Sequence, residues 1–333
     1  MNRVRTLTAV GAAAVLFAGC QDTDSTAPSR NLRAGGPAMS VSAVTGTYSP
    51  ELDQIRQGLV ASGVTNVELA SAEISVAADS AGWQGATTLF ANNRTHTLSS
   101  AFVPRDPRRG GRADISYIVD ESNELAISRT PANVRFNLTK TELEPAIDAS
   151  MLRWQNQPSC GAPAVTKVAY TGADPDLIDG IVLEDPSRIG TPFADITQAG
   201  WLSRTFFDRI APSGSTFILG VTFTFVWTNN GVPTDIDRDG RQDVAFREIY
   251  YNAGGFFWTT DPTFPGGVDV QSVATHESGH AYGLGHFGYV FRDNRGFIHY
   301  APKAVMNAVY VSSFRDLVGT DNASFCQLWA NAE

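Results

Sequence analysis

One short segment, HESGHAYGLGH, contains the residue types that chemistry at a metal ion requires. His276 and His280 lie one turn apart on a helix and therefore project from the same face, so both imidazoles can bind one ion. Gly283 can adopt the left-handed conformation that ends a helix and turns the chain, which makes His286 a third nitrogen ligand. Glu277 is placed to hold a water molecule. Three protein ligands and an open fourth position are typical of a catalytic zinc site.

The alternative is a buried helix that contains histidines without binding a metal. Three of the five histidines of the chain lie in this one segment, at fixed spacing, which favours the metal site. Asp269 precedes the predicted helix and is a suitable N-terminal cap for it.

The segment resembles the H-E-x-x-H-x-x-G-x-x-H motif of the metzincin metallopeptidases. The resemblance implies a zinc-dependent endopeptidase in which His276, His280 and His286 bind zinc. It also implies that Glu277 is the general base, which takes a proton from the attacking water and passes it to the leaving amine.

A second segment, AVMNAVY, resembles the metzincin Met-turn, and the spacing from Met306 to Tyr310 is similar to that of matrixins. This resemblance implies that Met306 lies beneath the zinc and that Tyr310 lines the pocket for the substrate residue after the cut. The implied fold class is α+β, a twisted mixed β-sheet with a long N-terminal helix, an active-site helix and a C-terminal helix. In matrixin-like proteins the edge strand before the active-site helix binds the substrate backbone antiparallel, and Val244–Asn252 is our candidate for it.

Hydrophobic periodicity predicts the elements around these segments. Residues 216–227 are almost entirely β-branched or aromatic, which predicts a central strand covered on both faces. Thr141 and Glu144 are predicted to form the capping box of a long helix, and Thr320 or Asp321 to cap the last helix. Further predicted elements are a helix at Pro50–Leu59, strands at Asn66–Val76, Thr87–Ala91, Asp114–Val119 and Thr166–Tyr170, and a short unassigned element at Ile196–Ile210.

The segment DIDRDGRQD places oxygen ligands at alternate positions and resembles a calcium loop. Its candidate ligands are Asp235, Asp237, Asp239, Asp243 and the backbone carbonyl of Arg241. Carboxylates this close repel one another unless a cation compensates them. We therefore predict a structural calcium ion here, with a solvated acidic turn as the alternative.

The N-terminus has the features of a targeting segment, with basic residues followed by a short apolar run and then Leu16-Phe17-Ala18-Gly19-Cys20. It resembles a bacterial lipoprotein signal, with residues 1–19 as signal peptide and Cys20 as the lipidated residue; an ordinary signal peptide is the alternative. Residues 20–45 are predicted to be a flexible tether. In either case we expect an exported protein, as a cell-envelope lipoprotein or a secreted protein.

The two other cysteines, Cys160 and Cys326, are predicted to form a disulfide, as is usual for a pair of cysteines in an exported protein. The alternative is that Cys160, within PSCGAP, acts as a matrixin-like cysteine switch that binds the open zinc position.

We divide the remaining chain at residue 112. Residues 46–112 are an N-terminal region, a candidate propeptide or accessory subdomain, and residues 113–333 the catalytic domain. The basic segment 104–112 is either a processing site that releases a propeptide, or an exposed linker or hairpin turn.

The composition limits the partners. A net charge of −9 gives no electrostatic basis for binding nucleic acid or anionic lipid. We expect a monomer whose partner is a protein or peptide substrate, with membrane contact only through the lipid anchor. Two other functions remain open: a catalytically silent, calcium-stabilised surface binding module on the same fold, and metal-dependent hydrolysis of a bond other than a peptide.

Overall fold

The computed structural model describes residues 50–77, 97–121, 138–156, 160–254, 256–292, 295 and 297–330. The predicted signal peptide, Cys20, the tether and the predicted strand at 87–91 lie outside these residues. Within the described ranges, no helix combines the length and the apolarity that a bilayer span requires.

The helices and strands are as follows. The described helices are α1 (Pro50–Ala61), α2 (Lys140–Gln155), α3 (Ile178–Leu183), α4 (Arg204–Ile210), α5 (Val270–Ala281) and α6 (Gly319–Trp329). The described strands are β1 (Val67–Ala77), β2 (Ser100–Ala101), β3 (Ile115–Val119), β4 (Val165–Val168), β5 (Ile196–Leu202), β6 (Ile218–Asn229), β7 (Val232–Pro233), β8 (Gln242–Asn252), β9 (Trp258–Thr259), β10 (Val268–Asp269), β11 (Tyr289–Arg292), β12 (Ile298–Ala301) and β13 (Val309–Tyr310).

The main sheet has the strand order β13-β1-β6-β8-β5-β3-β4, with β2 pairing with β8 and β7 with β6. β6 is antiparallel to both of its neighbours, β1 and β8, while the pairs β8–β5, β5–β3, β3–β4 and β1–β13 are parallel. The sheet is therefore mixed, and the predicted α+β class is confirmed at that level.

Helices cover both faces of the sheet because its strands are apolar on both sides. On β6, Leu219 and Val226 pack into the core that α2, α5 and α6 cover. Val221 and Phe223, from the same strand, pack into the other core, which α1, α3 and α4 cover. The prediction of a central, doubly covered strand at this position is confirmed.

The prediction that Val244–Asn252 forms a sheet edge is wrong. β8 is hydrogen-bonded on both sides, to β6 antiparallel and to β5 parallel. The partner that sequence patterns missed is β5, part of the unassigned element at 196–210. β5 is fully buried, but most residues between Ile196 and Leu202 are small or polar, so hydrophobic periodicity does not predict a strand there.

Two predicted helix caps lie at other residues. α2 begins after Thr139, whose backbone N–H and hydroxyl donate to the carboxylate of Glu142. Glu144 instead accepts a hydrogen bond from Lys167, so it is not part of the capping box. α6 begins after Val318, one turn earlier than a cap at Asp321 would require. The prediction for the active-site helix is confirmed, because Asp269 accepts the N–H of Ser272.

Residues on both sides of position 112 contribute to one sheet and one compact unit. β1, from the N-terminal region, pairs with β6 along nearly its whole length. The basic segment is mostly exposed but is anchored to the fold, because Arg109 is buried and binds Asp195 with Nε and Nη2 at 2.8 and 2.9 Å. Processing in this segment stays a prediction.

Asp195 is the anchor of that segment. Its carboxylate also accepts hydrogen bonds from Arg112 and from the backbone and hydroxyl of Ser116, so it joins the segment to β3 and β5. Burial by itself raises the pKa of Asp195, but Arg109, together with the Ser116 amide and the charge of Arg112, holds the pKa below its ordinary value.

We predict that Asp195→Asn lowers the free energy of unfolding by about 3–5 kcal/mol at pH 7, because it leaves the buried Arg109 uncompensated. A carboxyl group with a lowered folded-state pKa stabilises the fold above its unfolded pKa of about 3.9 and loses that effect as the pH falls. The difference between wild type and variant should therefore shrink below about pH 4 in urea unfolding. Asp114→Asn, at a partly exposed contact of Arg112, is the control and should change stability by less than about 1 kcal/mol. A constant difference down to pH 2 would contradict the assignment.

The predicted disulfide is present. Cys160 and Cys326 are bonded, with their Cα atoms 5.4 Å apart, and link the segment after α2 to α6. The sulfur of Cys160 is therefore not available as a metal ligand, and the cysteine-switch alternative is not supported.

We predict that Cys160→Ser lowers the free energy of unfolding by about 4 kcal/mol, because the bond closes a long loop in the unfolded chain. Its two cysteines are 166 positions apart in sequence. Urea unfolding of oxidised protein measures the change, and Cys20→Ser should leave it unaltered. Equal stability of the Cys160→Ser variant and the wild type would show that the bond is not a major constraint.

Candidate metal centre

The helix α5 and the turn after it position all three histidines. α5 is buried along nearly its whole length, and the chain leaves it at Gly283, whose φ of +97° is a conformation that other residues resist. The N–H of Leu284 donates to the carbonyl of Gly279, which closes the turn and directs the chain back to His286. The sequence predicted this arrangement.

The three imidazoles converge through their Nε2 atoms. Nε2 of His280 lies 3.1 Å from Nε2 of His276 and 3.1 Å from Nε2 of His286. Nitrogens bound at about 2.0–2.1 Å to one tetrahedral zinc ion lie about 3.3 Å apart. The spacing of the donor atoms therefore fits a single ion of this size.

Backbone carbonyls fix the orientation of two of the rings. Nδ1 of His276 lies 2.7 Å from the carbonyl oxygen of Val305, and Nδ1 of His280 lies 2.7 Å from that of Leu284. A carbonyl oxygen only accepts, so each Nδ1 must be the protonated nitrogen. Each Nε2 then presents a lone pair to the same point. Lone pairs this close repel one another, and a cation between them removes the repulsion.

The protonation states agree with a metal site. Burial lowers the pKa of His276 to about 4, although its hydrogen bond to Val305 acts in the opposite direction. Burial, together with the charges of the two neighbouring histidines, also lowers the pKa of His280. Both rings are therefore neutral at pH 7, which is the state that binds a metal ion.

Glu277 is fully buried beneath β1 and β6. Its carboxylate accepts hydrogen bonds from the hydroxyls of Ser75 at 2.6 Å and Thr222 at 2.7 Å. Burial raises its pKa to about 8, while these hydrogen bonds lower it and the charge of Glu73 raises it. A cation held by the histidines would bring the pKa back down.

Glu73 and Arg247 are site residues that the sequence patterns missed. The Glu73 carboxylate lies 3.9 Å from Nδ1 of His286. Burial raises its pKa to about 7, and Arg247 acts against that shift. Arg247 is fully buried and donates to the carbonyl of Ala281, at the end of α5. The sequence signal that could have found them is a charged residue within an otherwise mostly apolar strand, β1 for Glu73 and β8 for Arg247.

Met306 and Tyr310 both lie close to α5, and the roles that the resemblance implies for them stay predictions. Met306 is buried and packs against Gly279, which lies between His276 and His280 in α5. Tyr310 and His276 both line a small cavity of about 30 Å³. The hydroxyl of Tyr310 accepts the N–H of Asp269, which holds the start of α5 against β13.

The predicted calcium loop is brought together only in part. One carboxylate oxygen from each of Asp235, Asp237 and Asp239 lies within 4.8 Å of the others, on the surface. Asp243 is instead buried and accepts hydrogen bonds from Arg108 and Thr234. It therefore fastens the loop to the fold and does not join the cluster, because the strand β8 has already begun at that position.

No protein-family model matches this chain, and no curated protein sequence is significantly similar to it.

We predict that the metal-free chain binds one zinc ion per molecule and that His280→Ala abolishes this binding. At a free zinc concentration of about 100 times Kd, zinc should raise the free energy of unfolding of the wild type by about 2.7 kcal/mol. Isothermal titration calorimetry and thermal unfolding measure the two effects. His299→Ala, an exposed histidine outside the motif, is the control and should behave as the wild type does. Undiminished zinc binding by His280→Ala would exclude the proposed centre.

Proposed function

We propose that this chain is a zinc-dependent endopeptidase of the metzincin class, similar to matrixins, which hydrolyses peptide bonds of protein substrates. The proposal depends on one observation above all. Three histidines direct their Nε2 atoms to one point, the rings of His276 and His280 being neutral, and the buried side chain of Glu277 follows the first of them.

Each residue has a defined role under this proposal. His276, His280 and His286 would hold the ion. Zinc supplies Lewis-acid chemistry when bound, polarising a carbonyl group and activating water near neutral pH. Glu277 would accept the proton of the attacking water and deliver it to the leaving amine. A pKa raised by burial suits a group that must both take and release a proton.

The surroundings of the site support the same proposal. The order of a long helix, an active-site helix and a C-terminal helix around a mixed sheet is the arrangement that the resemblance implies. Val305 contacts His276 and Met306 packs against Gly279, so both residues lie against α5, as a Met-turn would. Tyr310 would line the pocket for the substrate residue after the cut, as the resemblance implies, and both it and His276 line the small cavity beside α5.

Two accessory features belong to this proposal. Asp235, Asp237 and Asp239 would hold a calcium ion that stabilises the loop between β7 and β8. The N-terminal sequence supports export, as a lipoprotein anchored through Cys20 or as a secreted protein.

One observation favours a second candidate, a catalytically silent binding module on the same fold. The hydroxyls of Ser75 and Thr222 already satisfy the Glu277 carboxylate, and β1 covers it. If this state is permanent, the protein would bind zinc and hydrolyse nothing.

We predict that zinc-loaded wild type cleaves members of a quenched peptide library and that a zinc chelator abolishes the cleavage. Glu277→Gln should retain zinc, because Glu277 is not a ligand, and lose at least about 100-fold in kcat/KM, because the proton transfer is lost. Zinc content and initial rates measure the two effects.

Glu68→Gln, a partly exposed carboxylate on β1 that binds Arg56, is the matched control and should retain the wild-type rate. Wild-type rates in Glu277→Gln would exclude the mechanism. A zinc-loaded wild type that cleaves no peptide would favour the binding module.

A further inference from the structure

The strand β1 fills a gap between two parts of the site. It is antiparallel to β6 from the pair Val67–Trp227 to the pair Val76–Ile218. At its end it is parallel to β13, through Val76–Val309 and Ala77–Tyr310. Without β1, one edge of β6 would face β13 across an open groove, and both would present unpaired backbone groups to it.

The middle of β1 lies over the catalytic residues. Glu73 and Ser75 are two positions apart on the strand, so their side chains share the face that is directed at α5. Ser75 donates to Glu277, and Glu73 lies beside His286. The sheet is close to the helix here, because a Cβ atom on Gly220, the partner of Ser75 on β6, would lie 2.7 Å from a Glu277 oxygen.

A bond that Glu277 helps to hydrolyse must lie within reach of its carboxylate, directly or through one water. β1 already provides an extended backbone at that place. Ser75, the β1 residue that contacts Glu277, also lies at the cavity that His276 and Tyr310 line. A substrate backbone and β1 would therefore compete for the same position between β6 and β13.

We propose that β1 is an internal occupant of the substrate groove, and that an extended peptide binds by displacing β1 and pairing antiparallel with β6. This inference rests on the proposed peptidase function. The displacement is costly, since β1 is covalently tethered and also buries Leu69 and Ile74 in the core on the other face of the sheet. A tethered segment has an effective concentration in the millimolar range, so free peptides compete poorly with it. Peptides therefore bind to the intact chain, and are cleaved by it, more weakly than an open groove would allow.

A cross-strand disulfide tests the displacement. Ser71 and Thr224 are paired across β1 and β6, are small and polar, and lie outside the histidine site. The oxidised S71C/T224C variant cannot release β1 from β6. The single variants S71C and T224C are the matched controls. T224C measures separately the effect of losing the hydrogen bond that Arg247 donates to Thr224. All of them are loaded with zinc before use.

The probe is a short peptide hydroxamate, acetyl-Leu-Leu-Gly-NHOH, and its affinity is measured by calorimetry. We expect the crosslink to weaken binding at least about 100-fold relative to both single variants, because the binding-competent population is removed. Equal affinity in crosslinked and single variants would overturn the proposal, and so would the absence of peptide binding in wild type and single variants.

Hydrogen exchange on the zinc-loaded wild type gives a second test that does not depend on the engineered bond. Saturation with the hydroxamate should increase the exchange of the amides of Val67–Ala77, and bound peptide with undiminished protection there would overturn the proposal. The two proposals fail separately. If peptide binding exposes β1 but no peptide is cleaved, only the peptidase proposal is refuted. If the crosslinked variant cleaves peptides as fast as the single variants do, only the proposal that β1 occupies the groove is refuted.

Discussion

Three imidazole Nε2 atoms held around one point are the constraint on which much of the structure depends. The arrangement is unfavourable unless a cation compensates it, and it persists because backbone carbonyls bind the other nitrogen of two rings. One of those carbonyls, at Leu284, belongs to the turn after α5, and the other, at Val305, to the segment before β13. The helix alone therefore cannot define the site.

The positions of these two carbonyls depend in turn on long-range contacts. The backbone N–H groups of Val305 and Met306 donate to the carboxylate of Asp321 in α6. α6 is fastened to the chain after α2 by the bond between Cys160 and Cys326, and Trp154 of α2 donates to the carbonyl of Thr275, next to His276. The helices α2, α5 and α6 thus form one support beneath the histidines.

The sheet supplies the other wall, and here the structure departs from a simple open cleft. Thr222 of β6 and Ser75 of β1 bind the same carboxylate, so the two strands enclose Glu277 from above. Burial on this scale accounts for the raised pKa of Glu277 and of Glu73. The same burial separates the peptidase from the silent binding module. A peptidase requires that β1 or β6 move away from Glu277, whereas a binding module does not.

The sequence by itself determined the local features: the helical spacing of His276 and His280, the turn at Gly283, the cap at Asp269 and the buried character of β6. Each of these follows from residues within a few positions of one another, where backbone geometry is the only requirement. Tertiary structure alone decided that β8 is internal, that Asp243 leaves the acidic cluster, and that β1 lies over Glu277. These outcomes depend on which strand pairs with which, and strand pairing brings together residues as distant as Ser75 and Glu277, whose contact no local pattern encodes.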